Sequence, residues 1–200
     1  MVAFSCILSN TKTNLHLLIN AHVGNPIVDR FFYYITYLGD GNVAIVILLM
    51  ILFYNIRIGI YCTASFIVAS LSSVGLKHFF FDDVNRPLYI FTYFEHIQLK
   101  LVPGVQIYIH NSFPSGHATQ AFAILMSLAF CLNNQKLKLS LFLLATLTAF
   151  SRVYLSQHWL QDVTAGSLVG IAFSVLFYFL IFSRPQLMKF NKAILNSKKL

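Results

Sequence analysis

Long apolar runs separated by short polar segments make up most of this 200-residue chain. Four of the runs have the length of a membrane-spanning helix, and they cover residues 58–81, 115–132, 137–154 and 163–182. A helix rises about 1.5 Å per residue, so the shorter runs would be about 27 Å long and the last about 30 Å. These lengths match the hydrocarbon core of a bilayer, and the pattern therefore predicts transmembrane helices.

Two earlier segments are less regular. Residues 27–54 are mostly apolar but are interrupted by Gly39-Asp40-Gly41, which leaves two interpretations: one broken span, or an interfacial helix followed by a short span. Residues 1–25 are too polar to cross a membrane, and the leucines around position 17 predict a short amphipathic helix in the interface. The pattern predicts one membrane-embedded domain over residues 1–200, an all-α bundle of about five to six helices with an interfacial N-terminal helix.

Composition supports this prediction. Hydrophobic residues make up 58% of the chain and charged residues 10%, whereas a soluble domain carries about a quarter charged residues. The net charge of +8 does not indicate a nucleic-acid partner, because the basic residues lie in short loops and near the C-terminus. The three scattered cysteines indicate neither a disulfide nor a metal framework. No basic region precedes the first apolar run, so no cleavable signal peptide is expected.

The positive residues predict the orientation of the bundle. Cytoplasmic loops of membrane proteins are enriched in lysine and arginine. With five spans and the N-terminus outside, the basic tail, residues 184–200, is cytoplasmic. The cytoplasmic side then contains eight cations: Arg57, Lys136, Lys138, Arg184, Lys189, Lys192, Lys198 and Lys199. The polar connection over residues 82–113 and the stretch 151–162 then share the opposite, extracytoplasmic face.

The stretch from Ser151 to Asp162 sets an arginine, a histidine and an acid between two apolar runs. Ionisable groups near membrane depth are costly, so such a cluster indicates a functional site. His158 and Asp162 are four residues apart, which on a helix places them on one face. The carboxylate would then make the imidazole a better base or nucleophile, and Arg152 suits a phosphate or a carboxylate. The alternative is a capped interfacial loop with a satisfied histidine.

A second candidate, residues 111–117, directly precedes an apolar run. Pro114-Ser115 is typical of a helix start, where Ser115 or its neighbours would cap the free amides. Such amides beside a small Ser-Gly pair can cradle a phosphate, and Gly116 permits close approach. His117 follows, placed to give or take a proton.

A third candidate is the pair of cations Lys77 and Arg86, the latter followed by Pro87. Together the two would neutralise an anionic group at the end of one span. Taken alone, the pair is explained equally well by long basic side chains that extend from the span end to the membrane interface.

The three candidates together resemble the type 2 phosphatidic acid phosphatase superfamily, through four blocks in chain order: Lys77, Arg86-Pro87, Pro114-Ser115-Gly116-His117 and Ser151-Arg152-x5-His158-x3-Asp162. The last two blocks match the family pattern without a gap. The first departs from it, because the family has Lys-x6-Arg-Pro whereas eight residues separate Lys77 from Arg86 here. Phe79 stands where the family lysine would be, so Lys77 is the best candidate for that role.

The resemblance implies a metal-independent phosphatase without a cofactor. It implies that His158 attacks phosphorus, that Asp162 orients it, and that His117 protonates the leaving oxygen. The phosphate oxygens would be held by five residues: Lys77, Arg86, Ser115, Gly116 and Arg152. A metal site made of histidines lacks a consistent ligand spacing and is not predicted.

The apolar spans favour a lipid phosphate as substrate, met at the extracytoplasmic face of a bacterial cytoplasmic membrane. Four lipids come into question: undecaprenyl diphosphate, lipid A phosphate, phosphatidylglycerol phosphate and phosphatidic acid. Outward topology slightly favours the first two. A non-catalytic protein that binds or moves anionic lipid is the main alternative, although binding alone needs only the cations. A proton-coupled transporter is disfavoured, because its ionisable groups are expected near the bilayer midplane.

Overall fold

The computed structural model describes residues 12–183, so the predicted basic tail and residues 1–11 lie outside the described part. Within it the chain is all helical and has no strand, which confirms the predicted fold class. The helices in chain order are α1 (12–20), α2 (Pro26–Ile35), a 3-10 helix (Thr36–Gly39), α3 (Gly41–Tyr54), α4 (Ile56–Phe79), α5 (Pro87–Tyr93), α6 (Gly116–Cys131), α7 (Gln135–Tyr154) and α8 (Leu160–Phe182).

The four predicted spans correspond to α4, α6, α7 and α8, with ends that differ by at most three residues. Among the described residues, α4, α7 and α8 are long and apolar enough to cross a membrane. The two segments before α4, Pro26–Gly39 and Gly41–Tyr54, are long and apolar enough only when taken together as one bent span. Counting them gives up to four spans among the described residues. Helix α6 is a shorter apolar helix of 16 residues.

Helix α6 forms the centre of the bundle and packs most closely against α8. Two glycines of α8 allow this approach. A Cβ on Gly170 would lie 2.6 Å from the carbonyl oxygen of Thr119 and 2.8 Å from Cβ of Phe122, and a Cβ on Gly166 would collide with the carbonyl oxygen of Ser115. Small residues four apart on one helix therefore set the distance between the two helices, as in other membrane bundles.

We expect the substitution Gly170→Ala to destabilise the protein by about 1–3 kcal/mol, the usual cost of an overpacked core. The added methyl group meets backbone atoms that cannot rotate away. Gly75→Ala in α4 is the matched control, because its Cβ would meet nothing closer than Phe79 Cδ2 at 4.0 Å. Thermal unfolding of the purified proteins in detergent checks the prediction, and equal midpoints for the two variants would contradict it.

The interruption at Gly39-Asp40-Gly41 is a bend of 60° between two helical segments. The Asp40 side chain caps α3 by accepting from the backbone N–H groups of Asn42 (2.9 Å) and Val43 (3.4 Å). Gly39 is required by a close approach, because a Cβ there would lie 2.6 Å from the carbonyl oxygen of His117. The break therefore docks the 3-10 helix against the beginning of α6.

The predicted amphipathic helix is present as α1, with its polar side facing the protein. His16 and Asn20 are buried, whereas Leu18 is 67% exposed. Since apolar side chains are stable against lipid, this arrangement suits a helix at a bilayer surface.

Four helix ends meet at one end of the bundle: the C-termini of α4 and α7 and the N-termini of α6 and α8. The backbone N–H of Ser115 at the start of α6 donates to the carbonyl of Asp162 in the first turn of α8 (3.0 Å). At the other end, Arg57 near the start of α4 donates to the carbonyl of Ile181 near the end of α8 (3.2 Å). All the candidate motifs thus lie at the same end.

Candidate active site

His158 lies in a buried loop, residues 155–159, between α7 and α8. The loop folds back on the last turn of α7, because the backbone N–H groups of Gln157 (2.8 Å) and His158 (3.1 Å) both donate to the carbonyl of Arg152. Ser156 makes this reversal in the left-handed region, with φ at +55°. The nucleophile candidate is therefore held by the backbone of the helix that also carries Arg152.

Asp162 lies beside His158 in the first turn of α8. Its Oδ2 is 3.4 Å from His158 Nδ1, within ion-pair distance, although the two atoms are not aligned for a hydrogen bond. The same oxygen accepts hydrogen bonds from the Ser112 hydroxyl and from the Trp159 backbone N–H (3.0 Å). The expectation that His158 and Asp162 share a helix face is wrong, because α8 begins at Leu160 and a turn brings the two together.

Arg86 precedes α5, and protein carbonyls hold its guanidinium. Nε donates to the carbonyl of His110 (2.8 Å), and one terminal nitrogen donates to the carbonyl of Gln157 (2.9 Å). The ring of Tyr108 lies 5.4 Å from the guanidinium carbon. Burial lowers the pKa of Arg86, while Asp162 and Tyr108 act in the opposite direction. Since arginine ordinarily titrates above pH 12, the group is a fixed cation.

Arg152, at the end of α7, is tied to two other parts of the chain. One terminal nitrogen donates to the Thr36 hydroxyl (2.9 Å) and the other to Oε1 of Gln157 (3.4 Å). The same Gln157 oxygen is 3.4 Å from Arg86, and the Gln157 amide nitrogen donates to the carbonyl of Gln106 (3.0 Å). Gln157 thus links both guanidinium groups and fixes their separation.

Lys77 lies in the last turn of α4 and interacts electrostatically with Arg86, Arg152 and Asp162. Phe79, which stands at the family lysine position, is 82% exposed. Residues two apart on a helix point in different directions, so only one of the two positions can face the site. Lys77 is the one near the other cations, despite its different spacing in sequence.

The block Ser115-Gly116-His117 forms the beginning of α6. Ser115 is the N-cap, as predicted, and its hydroxyl accepts from the N–H of Ala118 (3.5 Å). A Cβ on Gly116 would have no heavy atom of the described residues within 4 Å, so a side chain there would occupy the space in front of the helix. His117 interacts electrostatically with His158 and with all three site cations.

The electrostatics of the site favour an anion and a neutral nucleophile. Burial, and then the charges of Arg86, Arg152 and Lys77, holds the pKa of His158 well below its usual value of 6.5. A neutral imidazole keeps a free lone pair for attack near pH 7. Three cations face the carboxylate of Asp162, so excess positive charge is available to phosphate oxygens.

Several residues around the site escaped prediction from the sequence: Thr36, Ser112 and Gln157. Ser112 and Gln157 lie inside the predicted motif stretches 111–117 and 151–162. The structure shows that both side chains are completely buried. Nothing near Thr36 in sequence suggests its contact with Arg152. Trp159 is buried beside them: its side chain is 1% exposed and its Nε1 donates to the carbonyl of Asn85 (2.9 Å).

The fold defines an integral membrane protein of all-α architecture, and its candidate site groups two histidines, an acid and three cations at one end of the bundle. The chain belongs to the PAP2 superfamily, whose family model matches residues 58–186. The matched region contains every predicted site residue, and the resemblance drawn from the motifs is confirmed.

Two curated relatives match parts of the chain. It is 39% identical over 67 residues to the undecaprenyl-diphosphatase BcrC of Bacillus subtilis, covering 34% of each protein. It is 36% identical over 80 residues to the lipid A 1-phosphatase of Porphyromonas gingivalis, covering 38% of this chain and 18% of that protein. The matched segments thus span about a third and about a fifth of these relatives.

Two solved structures share the fold over most of their length. Aquifex aeolicus LpxE superposes with a TM-score of 0.71 at 27% identity, covering 84% of this chain and 94% of that one. A transmembrane PAP2-type phosphatidylglycerolphosphate phosphatase from Bacillus subtilis gives a TM-score of 0.73 at 20% identity, covering 88% and 87%. The second likeness concerns the fold alone.

Proposed function

We propose that this protein is a membrane lipid phosphatase that hydrolyses a phosphomonoester or a diphosphate through a phosphohistidine on His158. One observation carries the proposal. The buried His158 lies 3.4 Å from the carboxylate of Asp162, close to three cations and to the N-terminus of α6. A protein that only bound anionic lipid would need the cations, but it would have no use for a neutral imidazole beside an acid.

In the first step, Nε2 of His158 attacks phosphorus, because Nδ1 is the nitrogen that faces Asp162. The bond from phosphorus to the lipid oxygen breaks, and His117 gives a proton to that oxygen. The carboxylate of Asp162 stabilises the positive charge that develops on the imidazole. Lys77, Arg86 and Arg152, with the amides at Ser115 and Gly116, hold the three phosphoryl oxygens in line for the displacement.

In the second step, water attacks the phosphorus of the phosphohistidine, and His117 accepts a proton from that water. The bond between phosphorus and nitrogen breaks, phosphate leaves, and both histidines return to their starting protonation states. Phosphoryl transfer depends mainly on alignment and charge stabilisation, and three protein cations supply the charge that metal ions supply in other enzymes. We therefore propose that the reaction needs no metal.

The substrate we propose is undecaprenyl diphosphate or the phosphate of lipid A. The names of the two curated relatives support this choice, since each acts on one of these lipids. Phosphatidylglycerol phosphate and phosphatidic acid are the alternatives. The charge pattern supports a site on the extracytoplasmic face of a bacterial cytoplasmic membrane, because Arg57 lies at the end of the bundle away from the site.

Phosphate release by the purified protein, measured with EDTA present on all four lipids, tests the proposal. We expect release from undecaprenyl diphosphate or lipid A, with undiminished rates in EDTA. Release restricted to the two glycerophospholipids would reverse the choice of substrate. Binding of the lipids without any release would favour the non-catalytic alternative.

A further inference from the structure

Helix α1 presents three polar side chains, four residues apart, to the loop that carries His158. Lys12, His16 and Asn20 share one face by their spacing. His16 is 2% exposed and Asn20 is 6% exposed, which means that the protein itself must satisfy them. None of the three belongs to a family block that was recognised in the sequence.

His16 and Asn20 converge on one atom, the hydroxyl oxygen of Ser156. Nε2 of His16 lies 3.2 Å from it, and the Asn20 amide nitrogen lies 3.4 Å from it. Asn20 is itself fixed by two bonds to the backbone of Lys100, one given to its carbonyl (2.8 Å) and one accepted from its N–H (3.0 Å). The hydroxyl of Ser156 is therefore held from two sides by side chains that are themselves fixed or buried.

Ser156 is the residue at which the loop reverses direction. Its φ of +55° is unfavourable for a residue with a Cβ, because the Cβ then comes close to the following carbonyl oxygen. Such a conformation persists where the surroundings fix it. His158 follows two residues later, so the backbone conformation of Ser156 determines where the His158 backbone lies.

Helix α1 also contacts the loop beyond His158. Nζ of Lys12 lies 4.0 Å from the centre of the Trp159 ring, and the His16 ring meets the same indole edge-on at 5.3 Å. Burial and the neighbouring Lys12 lower the pKa of His16 to about 4. The ring is therefore neutral near pH 7 and shares a single hydrogen bond with the Ser156 hydroxyl.

We propose that α1 holds the nucleophile loop in its reactive geometry, with His16 and Asn20 as positioning residues that act on His158 through Ser156. This inference rests on the proposed function, because it concerns the turnover of His158. Neither residue touches the phosphate site in this arrangement. Their loss should therefore reduce kcat and leave the affinity for substrate nearly unchanged.

The matched pair His16→Phe and His16→Gln tests the hydrogen bond. Phenylalanine keeps the aromatic packing on Trp159 but has no polar atom, whereas a glutamine amide reaches the position of Nε2. A displacement of about 1 Å can cost about a hundredfold in rate, so we expect kcat to fall about ten- to a hundredfold in His16→Phe. KM should stay near the wild-type value, and His16→Gln should recover most of kcat. Leu18→Ala, on the outer face of α1, is the control and should behave as wild type.

A second measurement does not depend on activity. Trp159 is the single tryptophan of the chain, so its fluorescence reports on the loop alone. We expect acrylamide to quench Trp159 more strongly in Asn20→Ala and in Ser156→Gly than in wild type or Leu18→Ala. Glycine tolerates the positive φ, which means that Ser156→Gly removes the hydroxyl without adding strain.

Wild-type kcat in His16→Phe would overturn the proposal, as would a raised KM with unchanged kcat or a His16→Gln variant no better than His16→Phe. If His16→Phe does not fold, Asn20→Ala and Ser156→Gly are judged by the same kinetic criteria. If the wild-type protein releases no phosphate from any lipid, the proposed function fails. Quenching then still decides the role of α1, and unchanged quenching in both variants would refute it.

Discussion

Replacing His158 with alanine is expected to abolish phosphate release, with a loss of at least about 10⁴-fold in kcat, the scale seen when a covalent nucleophile is removed. His117, the other histidine assigned to the site, has the role of protonating the leaving oxygen, and hydroxide at neutral pH is scarce. The variant should still bind lipid, because Lys77, Arg86 and Arg152 remain. Rates on the preferred lipid, together with binding of the same lipid, check the prediction.

The covalent intermediate gives this prediction a direct readout. A rapid acid-free quench of wild-type protein with substrate carrying radioactive phosphate should trap a phosphoenzyme that is labile to acid and stable to base. The label should be absent from His158→Ala. His22→Gln is the matched control, because His22 is exposed, lies just after α1, and has its Nδ1 3.0 Å from the carbonyl oxygen of Leu18. Label on His158→Ala would place the nucleophile elsewhere.

The second large effect is expected for Asp162→Asn, which should lower kcat about 10²- to 10⁴-fold, as for the acid of a catalytic triad. Asparagine can still accept from Ser112 and from the Trp159 N–H, so α8 keeps its cap. The variant lacks the negative charge that stabilises His158 as it becomes positive. KM should not rise, because removing the negative charge of Asp162 makes the site more attractive to phosphate.

Ser112→Ala separates the charge of Asp162 from its orientation. This change removes one hydrogen bond to the carboxylate and leaves the charge in place, so we expect a loss of about tenfold, near the lower limit for general acid–base or positioning effects. Steady-state kinetics on wild type, Asp162→Asn and Ser112→Ala would compare the contributions of the Asp162 charge and of its orientation. An equal loss in both variants would show that Asp162 acts by orientation alone, and an unchanged kcat in Asp162→Asn would contradict its assigned role.

The sequence located the spans because their signal is local. A helix that crosses a membrane must be apolar over about 20 residues, whatever surrounds it. The start of α6 was similarly evident, since a cap and a change in polarity occupy a few adjacent residues. For the same reason, the two gap-free motif blocks were sufficient to indicate the family.

The spacing of residues misled where the helix did not continue. His158 and Asp162 are four apart, yet His158 lies before α8, and the turn at Ser156 brings them together. The family spacing alone would likewise have pointed to Phe79, which is exposed, but the prediction chose Lys77, which lies near the other cations. The direction of a side chain thus depends on where its helix begins and ends. A few residues at the helix end decide this.

What the sequence by itself determined is the class of structure and the local blocks of the site: an all-α membrane bundle, the Ser115 cap, and histidines beside an acid and arginines. What only the tertiary structure decided is which polar residues meet. Thr36 reaches Arg152, Ser112 reaches Asp162, and α1 reaches Ser156 across 140 residues of sequence. The physical reason is that a serine or an asparagine is equally stable in solvent or in a buried hydrogen bond, so its residue type does not reveal its partner.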